Sequence, residues 1–158
     1  MNINFSDIKL LVCDFDGVMT NNKIILDEHG KESVICDRGD GLGIELLKKN
    51  NVDVLVISKE KNKTVEARCR KLQIPFIQGI DDKKEIFMKE IGIRGLSIEK
   101  VCYIGNDIND IECMKEAGIG VAVSDSNLEV IRVANFVTKK NGGDGAVREV
   151  CDLILIKK

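Results

Sequence analysis

A chain of 158 residues with 44% hydrophobic and 32% charged side chains has material for one sizeable core and the balance of an ordinary globular protein. A net charge of −2 leaves no basic excess to neutralise a phosphate backbone or an anionic membrane, and 4% aromatics without Trp leaves no stacking platform for bases. Nucleic acid and membrane are therefore not expected partners, and residues 1–158 are expected to form one domain.

The opening Met1-Asn2-Ile3-Asn4-Phe5-Ser6-Asp7 has neither a basic n-region nor an apolar h-region, and apolar runs are strand-sized throughout, which predicts a cytoplasmic protein. A strand over residues 9–13 ends at Asp14-Phe15-Asp16-Gly17, a sharp turn closed by glycine. Lys23-Ile24-Ile25-Leu26, a polar turn at 27–30 and the run 31–36 read as a β-hairpin inserted after that strand. A helix over 41–50, a strand over 52–57 and a helix over 63–72 capped by Asn62 follow. The only proline, Pro75, opens a strand over 75–77. Beyond it come a helix over 83–91, a strand over 101–104, and a helix over 109–117 stopped by Gly118. The remaining elements are strands over 119–123 and 135–137 and helices over 127–134 and 146–154. Apolar strands alternating with helices predict an α/β fold: a doubly wound, mostly parallel sheet covered on both faces. In such sheets ligands bind beyond the strand C-termini. The six cysteines (Cys13, Cys36, Cys69, Cys102, Cys113, Cys151) form no C-x-x-C and read as small buried hydrophobes in a reducing compartment. One histidine, His29, cannot build a zinc site.

Four features fall at or just after predicted strand ends: Asp14 and Asp16; Ser58; Lys83 before Lys84 at a helix start; and Gly105-Asn106-Asp107-Ile108-Asn109-Asp110. Two carboxylates in one small space are costly unless a cation lies between them or one keeps its proton. Both remedies serve chemistry, since a hard cation such as Mg2+ takes oxygen ligands and a protonated Asp is a general acid. Together the four features compose a phosphoryl-transfer site. A phosphate dianion repels an attacking carboxylate, and at ~4 Å and an effective dielectric of ~20 each unit charge pair costs about 4 kcal/mol. A dication, an ammonium and hydroxyl or backbone donors offset that repulsion. Taken singly, D-x-D-G also occurs in calcium loops, Ser58 is an ordinary turn serine, Lys83 an ordinary solvated lysine, and Asn106-Asp107 with Asp110 an ordinary helix cap. Their order along successive strand ends is the specific signal.

That ordered set resembles the haloacid dehalogenase-like phosphatase superfamily over nearly the whole chain. The likeness extends to its small cap-less members, the 3-deoxy-octulosonate 8-phosphate phosphatases and their nine-carbon, sialic-acid-type relatives. The matching stretches are Asp14-Phe15-Asp16-Gly17-Val18-Met19-Thr20, Asp40-Gly41-Leu42-Gly43-Ile44, Tyr103-Ile104-Gly105-Asn106-Asp107, and Gly142-Gly143-Asp144-Gly145-Ala146-Val147-Arg148-Glu149. The resemblance implies that Asp14 is the nucleophile, and that Asp16 protonates the leaving alkoxide and then activates water. It implies that Ser58 and Lys83 hold phosphate oxygens. Mg2+ would sit on Asp14, the Asp16 carbonyl and Asp107, with Asn106 and Asp110 supporting them.

Two departures stand out. Ser58-Lys59-Glu60 replaces the Thr-Gly-Arg typical of the octulosonate enzymes, and Asn106 stands where they usually carry Asp. Both favour a nine-carbon 9-phosphate of sialic acid or its deaminated analogue, with the octulosonate 8-phosphate as the alternative. Gly39 also stands where relatives often carry Lys or Arg, with Arg38 as the available substitute. The resemblance further implies a homotetramer in which the hairpin of a neighbour, residues 23–36 here, covers an open site. Arg68 and Lys71, on the helix after Glu60, are the candidate partners for the substrate's carboxylate, and Arg148 is a candidate to reach an adjacent subunit.

Two readings of other classes compete. One is a non-catalytic oligomerisation module associated with a sialate cytidylyltransferase; the intact Asp14, Asp16, Ser58, Lys83 and Asp107 argue against it. The other is a phospho-receiver domain; the strand over 52–57 ends in Ser58 and offers no Asp to receive phosphate.

Overall fold

Leu10–Cys13 forms the first strand, β1, and its four residues are buried outright. The rest of the computed structural model, which describes residues 3–156, is arranged around it. Met1, Asn2, Lys157 and Lys158 lie outside the described residues, and with them the very ends of the expected domain and the start of the opening segment.

The chain continues through a small hairpin, β2 (Ile25–Leu26) and β3 (Glu32–Ser33), to α1 (Arg38–Lys49), β4 (Asp53–Ser58), α2 (Lys63–Leu72), β5 (Phe76–Gln78) and α3 (Lys83–Arg94). After these come β6 (Val101–Gly105), α4 (Ile111–Glu116), β7 (Ile119–Ala122), α5 (Leu128–Val133), β8 (Phe136–Val137) and α6 (Ala146–Leu155). Six strands pair in the order β5-β4-β1-β6-β7-β8, every pair parallel. The doubly wound α/β expectation therefore holds. The hairpin stays outside that sheet, joined to the body by the antiparallel bridge Thr20↔Cys36.

The two-residue period of the strands divides the core in two. Leu11 and Cys13 face the layer built by α1, α2 and α6, with Ile44, Leu47, Val65, Cys69, Val150 and Cys151. Leu10 and Val12 face the layer of α3, α4 and α5, with Phe87, Ile91, Met114 and Val130. Phe87 meets Tyr103 edge-to-face at 5.3 Å. All six cysteines are free thiols, five of them buried, as their placement in apolar runs predicts. No helix among the described residues is long and apolar enough to cross a membrane.

Boundaries differ from expectation where side chains cap the backbone. Helix α1 begins three residues early, at Arg38, because Asp37 accepts from the Asp40 amide at 3.1 Å and so overcomes the weak propensities of Gly39 and Gly41. Helix α3 runs on to Arg94, where Gly95 adopts a left-handed φ of 62°. The helix expected over 109–117 begins instead as a 3-10 turn at Ile108–Asp110, since Asp107 and Asp110 form a reciprocal capping box.

Helix α6 has no capping side chain of its own, because its N-cap is Gly145. Asp40 of α1 supplies one from 108 residues away: its Oδ1 accepts from the Arg148 amide at 2.8 Å. Gly43 allows the two helices this close, since a Cβ there would lie 2.9 Å from Arg148 Cδ and 3.0 Å from Cys151 Cβ. The Arg148 side chain lies along its own helix, with Nε donating to Asp152 at 2.8 Å. The other Asp40 oxygen is buried without a partner, and burial above all lifts the carboxyl to about 6. Because that folded value exceeds the ordinary 3.8, Asp40's contribution to stability is complete below 3.8 and is lost as pH rises through about 6. Asp40→Ala should cost about 1 kcal/mol in denaturant unfolding, as for other lost caps. Asp40→Asn should flatten the dependence of unfolding free energy on pH across that window.

Candidate active site

The sheet order places β1 between β4 and β6, so the segments leaving these three strands share one rim at the point where the winding reverses. Asp14 leaves β1, Ser58 ends β4, and Asn106-Asp107 leaves β6. Lys83 opens α3, which follows the neighbouring β5. Residues far apart in sequence thus meet because parallel strands all end on the same side.

The strongest electrostatic feature lies just beneath that rim. The Lys83 ammonium, 1% exposed, contacts Asp14 Oδ1 at 2.7 Å and Asp110 Oδ1 at 2.9 Å. Asp110 is wholly buried, and it also accepts from the Tyr103 hydroxyl at 2.9 Å and from the amides of Asn106 and Asp107 at 3.0 and 3.2 Å. Gly105 makes the approach possible, since a Cβ there would fall 2.4 Å from that of Asp110. Burial works against the Lys83 charge, but Asp14 and Asp110 outweigh it and hold its pKa above the ordinary lysine value. Burial, followed by the charge of Asp110, raises the pKa of Asp14, while Lys83 and the Phe15 amide at 2.7 Å pull it back.

The turn after β1 is held from two sides. Thr20 Oγ1 accepts from the amides of Gly17 and Asn22 at 3.1 and 3.2 Å. The Asn106 amide group lies 2.9 Å from the Asp16 carbonyl and 3.3 Å from Asp14 Oδ2: nitrogen inward it donates to both, and oxygen inward it adds a third oxygen to theirs. Gly17 sits at φ 84° against that side chain, leaving no room for a Cβ. On the other side Gly142 rests on the Gly17 carbonyl, where a Cβ would lie 1.8 Å from the oxygen, and the Gly143 amide donates to the Val18 carbonyl at 3.0 Å. The glycine-rich stretch before α6 is thus a buttress for the acidic turn.

A cleft of about 390 Å3 opens over this arrangement. Asp14, Asp16, Ser58, Glu60, Asn106 and Asp107 all line it, together with Asn22, Ile24, Glu32, Lys59, Asn62 and Asn109. Ser58 is buried at its floor, with its hydroxyl 3.3 Å from the Glu60 carbonyl. Asp16 is half-buried, and burial, then Glu60 and Glu32, raise its pKa. Among the described residues no three His, Cys, Asp or Glu side chains are arranged as a metal cage. Asp14 and the Asp16 carbonyl, with the Asn106 amide beside them and Asp107 in the lining of the same cleft, offer oxygen donors of the sparse kind that suits Mg2+, which keeps waters. One oxygen of Asp107 is held by the Ile108 amide at 2.8 Å.

Two expected substrate contacts lie elsewhere. Arg68 and Lys71 line a second groove, between the hairpin and α2, and not the cleft of their own chain. The helix turns Arg68 towards the start of α1, where its guanidinium donates to the Asp37 carbonyl at 2.8 Å. Sequence patterning overlooks three contributors. Tyr103 reads as one more apolar strand residue, Thr20 as a turn residue, and Glu32 as hairpin surface. Only the fold reveals what each touches.

A family model described as haloacid dehalogenase-like hydrolase matches residues 43–150. The chain is 38% identical to the 3-deoxy-D-manno-octulosonate 8-phosphate phosphatase KdsC of Yersinia pestis over 152 residues, 96% of this chain and 81% of the relative. The solved structure of the Yersinia pestis 3-deoxy-D-manno-octulosonate 8-phosphate phosphatase superposes with a TM-score of 0.94 at 38% identity, covering 96% of this chain and 83% of that one. The corresponding phosphatase from Moraxella catarrhalis, solved with magnesium, phosphate and KDO, gives 0.92 at 35% identity, covering 96% of this chain and 87% of that one. With its acidic turn, buried lysine and parallel sheet, the chain belongs to the haloacid dehalogenase-like hydrolases.

Proposed function

We propose that this chain is a Mg2+-dependent phosphatase that removes the terminal phosphate of a 2-keto-3-deoxy sugar acid, with 3-deoxy-D-manno-octulosonate 8-phosphate as substrate. The observation that carries the reading is Asp14, a buried carboxylate at the head of the cleft, ion-paired through one oxygen with Lys83 and followed two residues later by Asp16. An assembly module has no use for an ammonium buried between two carboxylates, because such a triad costs several kcal/mol of desolvation per ion.

Asp14 attacks phosphorus, the bond to the sugar oxygen breaks, and Asp16 gives its proton to the departing alkoxide. Asp16, now a carboxylate, takes a proton from a water that attacks the aspartyl phosphate. Inorganic phosphate leaves and Asp14 is restored. The raised pKa of Asp16 keeps its acid form available at higher pH. The Ser58 hydroxyl, in the lining of the cleft, and the Lys83 ammonium, just behind Asp14, would hold phosphate oxygens. Mg2+, when held by Asp14, Asp107 and the Asp16 carbonyl, supplies the positive charge that lets an anion approach an anion.

The names carried by relatives at 35–38% identity support the eight-carbon acid over the nine-carbon acid that Ser58-Lys59-Glu60 and Asn106 suggest. The nine-carbon 9-phosphate stays as a second reading on one observation: Glu60 lines the cleft and puts a carboxylate where the octulosonate enzymes typically carry a cation. A homotetramer is part of the proposal. Ile25, Leu26 and Ile35 of the hairpin are more than half exposed, an apolar flank suited to covering the cleft of a second copy. Arg68 and Lys71 flank that hairpin from α2, on the body of the same copy.

Asp14→Asn should reduce phosphate release roughly 10^4-fold or more in a steady-state assay, as removal of other covalent nucleophiles does. A chelator should abolish turnover and added Mg2+ should restore it. Kinetics on the octulosonate 8-phosphate beside nine-carbon 9-phosphates should give the eight-carbon substrate the higher kcat/KM, and the opposite order would return the assignment to the nine-carbon branch. Lys83→Met should lower stability by about 3–5 kcal/mol in denaturant titrations, the usual cost of leaving buried charge unpaired.

A further inference from the structure

Beyond the packing of Val34 and Cys36 on the core and the bridge at its base, a single polar clasp ties the hairpin to the body. Among the described residues, one side-chain hydrogen bond joins residues 23–35 to the sheet or its helices, that from Asn62 Nδ2 to Glu32 Oε2. Asn62 is itself held firmly. Its Oδ1 caps α2 through the Thr64 amide at 3.0 Å, and its own amide donates to Gln78 Oε1 at 3.0 Å, at the end of β5. The clasp therefore fixes Glu32 against the same loop that carries Ser58 and Glu60. Glu32 lines the cleft, is partly buried, and has its second oxygen without a protein partner among the described residues. Glu60 lines the same cleft.

A carboxylate accepts hydrogen bonds and cannot donate them. Two carboxylates beyond the catalytic pair make this stretch of cleft hospitable to hydroxyl donors and hostile to a further anion. We propose that Glu32, held by Asn62, is a specificity-determining residue that accepts a hydrogen bond from a hydroxyl on the carbon chain next to the phosphate ester. The site thereby selects phosphorylated polyols whose own carboxylate lies several carbons away, and rejects short phospho-acids whose carboxylate adjoins the phosphate. This inference rests on the sugar-acid reading above and names the part of that substrate the cleft recognises.

The test is a kinetic comparison on the full chain with Mg2+. Substrates are the octulosonate 8-phosphate, glucose 6-phosphate, 3-phosphoglycerate and p-nitrophenyl phosphate, which has no hydroxyls. Glu32→Ala should lower kcat/KM for the octulosonate ester at least tenfold more than for p-nitrophenyl phosphate, mainly through KM, and should narrow the discrimination against 3-phosphoglycerate. Glu32→Gln, which retains an acceptor oxygen, should recover part of the first loss. Asn62→Ser, which can still cap α2 but cannot reach Glu32 with an amide, should reproduce the KM increase. Equal losses on hydroxylated and plain esters, or no loss on either, would overturn the role of Glu32. Should the wild-type protein ignore the octulosonate ester, the sugar-acid reading falls. The Glu32 proposal is then decided by whether glucose 6-phosphate loses tenfold more than p-nitrophenyl phosphate in Glu32→Ala.

Discussion

The Lys83 ammonium is shared between Asp14 and Asp110, and the remaining parts of the rim take their places from it. Asp14 stands at the end of β1, Asp110 in the turn after β6, and Lys83 at the head of α3. One cation therefore gathers three segments from across the sheet. Without it two buried carboxylates would face each other, and the cheapest remedy would be for one of them to take up a proton. Asp110 is the better satisfied of the two, with a hydroxyl and two backbone amides besides the lysine. Asp14 is left with an oxygen directed to Asn106 and the cleft. The difference between these acids thus follows from their surroundings: one is saturated with donors inside the fold, the other keeps an oxygen towards the cleft.

The acidic turn gains its shape by similar economy. Glycines at 17, 105 and 142 each permit an approach that any Cβ would forbid, to Asn106, to Asp110 and to the Gly17 carbonyl respectively. These contacts hold the Asp14 and Asp16 backbone firmly, so that the attacking oxygen and the proton donor need little rearrangement.

Much of this was legible in the residues before any coordinates. Buried parallel strands announce themselves as apolar runs, and a polar residue at the end of such a run has nowhere to go but the rim. For that reason Asp14, Ser58, Asn106 and Asp107 lie together along one cleft, with Lys83 just behind Asp14. Helix starts were less legible, since a cap such as Asp37 overrides the weak propensities of Gly39 and Gly41. Roles that depend on contact across the fold left no local trace. Asp40 reads as part of a loop-like motif and proves to cap a helix 108 residues on. Tyr103 looks like filler and proves to hold Asp110. Their place on the helix after Glu60 made Arg68 and Lys71 candidates, but the direction in which α2 faces depends on its packing against the sheet, and that turns them into the groove between the hairpin and α2.

The seating of Gly142 and Gly143 on the segment 17–20 has a consequence for biogenesis. The acidic turn at 14–20 is made well before the glycines that support it. While the polypeptide is still emerging, β1 can pair with β4, but the catalytic backbone lacks the surface that shapes it. The shape of the acidic turn therefore depends on a segment far along the chain, and a fragment that stopped before Gly142 would hold β1 to β8 without that support.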